Sequence, residues 1–138
     1  MSNLDEVQFI RQYRFQELPE DGSKPGRVLR TVKVGEVYIS HLVIDPGVIT
    51  GNLYHQETRV ITLVTRGRVL FTFKQVRTGE RREVFLRPGD GIVHIPPFVA
   101  IASKNVFYDA SEVLYFSNKP FRSGDDYPCE IMVNTTAI

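Results

Sequence analysis

Between residues 51 and 97 the chain is a series of short apolar, β-branched runs, cut by glycine or proline. Val60 to Val64 and Val69 to Phe73 flank Thr65-Arg66-Gly67-Arg68. Glu83 to Leu86 follows a charged turn around Thr78-Gly79-Glu80. Arg87-Pro88-Gly89-Asp90-Gly91 leads into Ile92 to Ile95, and Pro96-Pro97 stops that run. Runs this short are half the length a helix needs, and their side chains alternate with period two. Such a pattern folds as an antiparallel sandwich or barrel. Gly67 suits a hairpin position that needs positive φ.

The rest of the chain keeps the rhythm. Val7 to Ile10 and Tyr13 to Phe15 read as short strands of an N-terminal arm. Residues 20–26 read as a loop, Arg27 to Val34 and Val37 to Ile44 as strands, and Asp45-Pro46-Gly47 as a turn. Phe98 to Ala102 and Glu112 to Ser117 are further strands. Residues 120–128 look irregular and exposed, and Cys129 to Val133 reads as a terminal strand or a segment crossing to a partner. Three parts of one domain are expected: 1–35 as arm and first strands, 36–118 as the barrel core, and 119–138 as a C-terminal segment.

With 138 residues and a formal net charge of +1, the chain can bury a core and has no electrostatic case for nucleic acid. Its arginines between positions 66 and 87 are interrupted by Glu80 and Glu83. Cys129 is the lone cysteine, so neither an internal disulfide nor a cysteine-rich metal site is available. No apolar run approaches the length of a membrane span, and no N-terminal apolar region reads as a signal peptide. A cytoplasmic protein is the default expectation.

Placed together, Gly51 to His55, Gly67, Gly89-Asp90 and Ile95-Pro96-Pro97 resemble the two motifs of the cupin superfamily. Gly51 opens the first motif, His55 stands at its first histidine, Glu57 where the second would fall, and Gly67 closes it. In the second motif Phe98 stands at the family's glycine and Ile101 at its histidine, and the family's motif-one glutamate falls near Val60. The resemblance covers roughly residues 36 to 118. It is closest to the cupin domain of capsular-polysaccharide reductase/epimerase proteins, and looser to the dTDP-4-dehydrorhamnose 3,5-epimerase-like clan. It implies an all-β double-stranded β-helix, a jelly roll, and a homodimer.

Two usual donor positions carry Val60 and Ile101, which cannot bind a metal. The expectation is therefore no tightly held metal and no cofactor. The epimerases resembled here work with a histidine base, a carboxylate behind it and a tyrosine acid. His55 is the first candidate base, Glu57 its orienter, and Tyr54 or Tyr115 the acid. Arg59, His41, His94 and Arg68 are candidate ligand contacts. Residues 55, 57 and 59 share one face if the segment is a strand. Three readings stay open. One is a small cupin that binds a sugar nucleotide or similar small polar ligand and acts as a metal-independent epimerase or isomerase. Another is a non-catalytic cupin-fold binding or assembly protein. The third is a metal-dependent cupin enzyme with a non-standard ligand set.

Overall fold

The computed structural model describes residues 3–6, 16–17, 26–121 and 124–133. The two N-terminal strands expected at 7–10 and 13–15 lie outside them. A single 3-10 turn, Asn3–Glu6, precedes eleven strands among the described residues. These are β1 Gln16–Glu17, β2 Arg27–Val34, β3 Val37–Ile44, β4 Ile49–Tyr54, β5 Val60–Arg66 and β6 Val69–Gln75. They continue with β7 Arg81–Leu86, β8 Val93–Ile95, β9 Val99–Asn105, β10 Ser111–Ser117 and β11 Tyr127–Pro128.

The strands form two antiparallel sheets. One has the order β1-β2-β3-β10-β5-β8 and the other β11-β4-β9-β6-β7. Strands distant in sequence are therefore neighbours, as in a jelly roll. No helix of the described residues is long and apolar enough to cross a membrane.

Each strand sends alternate residues between the sheets. On β3, Ser40, Leu42 and Ile44 are buried, while Val37, Ile39, His41 and Val43 face outward. One end of the interior is packed solid. Phe71, Val69, Ile44 and Val113 are each 0% exposed. A buried phenylalanine such as Phe71 contributes about 2–3 kcal/mol by leaving water. Buried Asn105 pins this end. Its Nδ2 donates to the carbonyls of Ile44 and Asp109, and its Oδ1 accepts from the Phe107 amide and the Ser111 hydroxyl.

One turn differs from the sequence expectation. Thr65-Arg66-Gly67-Arg68 does not close a hairpin, because β5 and β6 belong to different sheets. The turn carries the chain from one sheet to the other. Gly67 has φ 86° there, and an added Cβ would lie 2.2 Å from the Ser111 hydroxyl. Gly51-Asn52 forms a bulge inside β4. The register against β9 shifts between Gly51 and Leu53, and both Gly51 and Asn52 have positive φ. Bulges of this kind bend a strand and re-aim its side chains.

The C-terminal segment is a strap on the second sheet. β11 pairs with β4, Asn52 exchanges hydrogen bonds with the backbone of Ile131 and Met132, and Arg81 on β7 donates to the Ile131 carbonyl. Beyond Pro128 this segment is not a strand. It crosses the sheet between those two anchors, where the outward-pointing Ala100, Ala102 and Thr72 are buried.

Candidate functional site

The other end of the interior is open. A cavity lies there between the sheets. Its walls are mostly aliphatic: Leu29 and Leu42 from β2 and β3, Val60 from β5, Ile95 from β8 and Ile101 from β9. Gly51 lines it too, at the β4 bulge. A Cβ there would meet the Ile101 carbonyl at 2.7 Å, so only glycine allows the two backbones this close.

His55 sits at the cavity wall and is 7% exposed. Its ring stacks on Phe121 at 5.9 Å between centroids. Nδ1 lies 2.9 Å from the Asp125 carbonyl and 3.1 Å from an Asp126 carboxylate oxygen. Both partners only accept, so Nδ1 carries a proton and Nε2 is the nitrogen that titrates. Burial pulls the imidazole pKa down. The Asp126 carboxylate and the Asp125 carbonyl outweigh burial, and the net pKa is raised above that of an ordinary histidine.

The loop that carries His55 is held by Asp125. Its carboxylate accepts from the amides of Gln56, Glu57 and Thr58 and from the Thr58 hydroxyl, at 2.7–3.1 Å. Burial alone would raise its pKa. The hydrogen bonds, led by the one from the Thr58 side chain, hold it far below the usual carboxylate range.

Tyr115 projects inward from β10, edge-on to Phe121. Burial pushes its phenol pKa up. Arg27 and hydrogen bonds with Ser103 and Thr62 offset only part of that shift. It therefore keeps its proton through the neutral range and can donate it in a hydrogen bond. Arg27 opens β2, lines the cavity, and its Nη1 donates to the Thr50 hydroxyl on the opposite sheet.

Of the candidate residues named from sequence, His55 and Tyr115 line this cavity. The others lie elsewhere. The segment 55–59 is a loop, not a strand, so the shared face expected for 55, 57 and 59 does not form. Glu57 is exposed and pairs with Lys119, and Asp126 takes the orienting position beside His55. Arg59 is exposed. Tyr54 stacks on Tyr127 at 5.4 Å, because the β4 bulge sets it against the C-terminal strap. His41 faces outward and contacts Glu112 at 2.9 Å. His94 is exposed, opposite Ile61 on the outer face of the first sheet. Arg68 stacks over the exposed ring of Phe85.

Sequence reasoning missed Arg27, Thr50, Ser103 and Asp126. Alternation along β2 could have found Arg27, which shares a face with Leu29. Nothing local marks Asp126, which meets His55 only through the fold.

The cupin motifs raise the question of a metal. Val60 and Ile101, at two of the family's donor positions, do line the cavity, and both carry hydrocarbon. Among the described residues no three His, Cys, Asp or Glu side chains come together to hold a metal ion. Asp126 is already committed to His55. These residues do not fit a cupin metal centre. Phe98, where the family has glycine, keeps the backbone that glycine would favour, with φ 66°.

No family model and no curated protein matches the sequence. Solved structures do match. A capsular polysaccharide assembling protein, CapF, from Staphylococcus aureus superposes with TM-score 0.74 at 21% identity, over 86% of this chain and 35% of that one. A mutant oxalate decarboxylase, OxdC, of Bacillus subtilis gives 0.66 at 16% identity, over 83% and 30%. Drosophila melanogaster CENP-C bound to CAL1 gives 0.61 at 13% identity, over 80% of each chain. This chain thus spans about a third of the length of CapF. The two sheets, their strand order and these neighbours together show that its fold is the cupin jelly roll.

Proposed function

We propose that the open end of the barrel binds a small polar or anionic ligand of the keto-sugar kind, free or nucleotide-linked, and that His55 exchanges a proton with it. The observation that carries this reading is the grip on Nδ1 of His55. With Nδ1 committed to Asp126 and the Asp125 carbonyl, Nε2 is left as a base of raised pKa on the cavity wall. Such a base can take the proton from a carbon next to a ketone. The C–H electron pair moves into the carbonyl to form an enolate, and Tyr115 donates a hydrogen bond to that oxygen. Reprotonation of that carbon by solvent on the face away from His55, with the proton on Nε2 then lost to solvent, inverts the carbon. The likeness to a capsular polysaccharide assembling protein supports the sugar part of the reading. The aliphatic walls favour a second reading, in which the same cavity binds without chemistry.

The test is titration with nucleotide-linked keto-sugars, followed by amide shifts and by deuterium uptake at the carbon beside the ketone. Shifts at residues 53–58, 101–103 and 115 are expected, with uptake lost in His55→Gln and Asp126→Asn. Shifts without uptake would leave the binding reading alone, and a silent cavity would end both.

A homodimer belongs to the same proposal. Val32, Ile39, Phe116 and Ile61 stand in register across four neighbouring strands on the outer face of the first sheet. Ile61 is 39% exposed. An apolar row on a sheet face suits a second copy of the chain.

A further inference from the structure

We propose that Asp125 and Thr58 are the positioning residues of the cavity: their buried contact sets where Nδ1 of His55 meets its acceptors, and so orients the base without touching the ligand. This rests on the reading of His55 as a base, and adds what holds that base in place.

The contact closes a ring. Gln56, Glu57 and Thr58 follow His55 directly, and their amides donate to the Asp125 carboxylate at 3.1, 3.0 and 2.8 Å. The Thr58 hydroxyl adds a fourth bond at 2.7 Å, to the oxygen that already accepts from the Glu57 and Thr58 amides. The main-chain carbonyl of Asp125 then accepts from His55 Nδ1 at 2.9 Å. Asp126, the next residue, brings a carboxylate oxygen to 3.1 Å from the same nitrogen. Both acceptors of the imidazole thus belong to the two residues whose place the Asp125 side chain fixes. Asp125 is 9% and Thr58 2% exposed, and neither lines the cavity.

Two other ties hold this region, and neither replaces the first. The Phe98 amide donates to the His55 carbonyl at 2.7 Å, which fixes the His55 backbone and not its acceptors. β11 pairs Tyr127 with Tyr54, but that pairing begins past Asp126. A hydrogen bond is lost within about 0.5 Å of stretch beyond its ordinary range. One residue of untethered backbone, with two soft dihedrals, has more play than that. A misplacement of about 1 Å can cost roughly 100-fold in rate.

The experiment uses the intact chain with Asp125→Asn, Thr58→Val and Thr58→Ser. The His55 titration midpoint is read from imidazole carbon-bound proton shifts. Deuterium uptake is read at the carbon beside the ketone of a nucleotide-linked keto-sugar. Thr58→Val is the deciding variant, because it keeps the side-chain shape and the charge of Asp125 and removes only the hydroxyl. It is expected to lower the midpoint, since the contacts that raise the His55 pKa loosen while burial stays. Uptake at saturating ligand is expected to fall about 10- to 100-fold, and Thr58→Ser to restore both readings. Asp125→Asn is expected to lower the midpoint more, because an amide nitrogen cannot accept. If Asp125→Asn does not fold, the two Thr58 variants carry the test. A midpoint lowered in Asp125→Asn but not in a folded Thr58→Val reduces the effect to charge and overturns the positioning role. Unaltered values in both overturn it as well. Midpoints that fall as expected in a chain without uptake keep the positioning and remove the enzyme reading. Uptake that survives both substitutions keeps the enzyme and removes this inference.

Discussion

At the scale of single residues the chemistry turns on how His55 is held. Two acceptors on Nδ1 fix the tautomer and raise the pKa against the pull of burial. Because the folded-state value is raised, the protonated ring stabilises the fold. That contribution is full below the pKa of an ordinary histidine and is lost as pH rises through the folded value. Removing the carboxylate takes away the largest contribution that offsets burial. Asp126→Asn should therefore lower the His55 titration midpoint. Imidazole carbon-bound proton shifts measured across pH in both proteins check this, and an unchanged midpoint would show that Asp126 does not set the base. Phe98 is a second residue whose conformation is imposed. Its φ of 66° costs about 1–2 kcal/mol for a side chain with a Cβ. Its amide donates to the His55 carbonyl at 2.7 Å, its carbonyl accepts from Val76, and its ring lies under Arg77, contacts that hold it there.

Among elements, the loop between β4 and β5 owes its shape to a residue almost seventy positions away. Asp125 satisfies three consecutive amides and one hydroxyl that no strand neighbour reaches. Asp125→Ala should cost about 3 kcal/mol at neutral pH, because several buried donors lose their acceptor. Its folded-state pKa is depressed, so the stability it supplies is present above the ordinary carboxylate value and fades as pH falls toward the folded one. The gap between wild type and Asp125→Ala in urea unfolding should therefore be widest at neutral pH and start to shrink only as pH falls below the ordinary carboxylate value. A gap independent of pH would mean that the charged form is not what matters. The edge strand β7 illustrates another element-scale device. Arg81, Arg82 and Glu83 are exposed along it, and charge on an edge discourages pairing with stray strands.

For the whole molecule, the two sheets have unlike outer faces. The second is crossed by the C-terminal strap, which Asn52 and Arg81 tie down. The first presents the apolar row of Val32, Ile39, Phe116 and Ile61. A dimer through that row should give twice the chain mass in light scattering at micromolar concentration. Ile61→Asp, at a position already 39% exposed, should return the monomer mass without unfolding the barrel. A monomer mass in the unaltered protein would reject the dimer. The N-terminal segment 7–10 lies outside the described residues, and 129–133 lies across its own sheet.

Local physics is legible in the sequence where it acts over a few residues. Period-two alternation, β-branched runs and Gly/Pro turns determined most of the strands. Motif spacing led to His55, and to hydrocarbon at positions 60 and 101. The tertiary structure alone decided which strands are neighbours, so it moved the turn at Gly67 from a hairpin to a crossing between sheets. It also decided that Asp126 and not Glu57 meets His55. A carboxylate two residues away reaches a histidine only if the backbone is extended there, and 55–59 is a loop held by Asp125. Contacts made across some seventy residues, or between opposite sheets as for Arg27 and Thr50, leave no local pattern, because closing those distances is the work of the core.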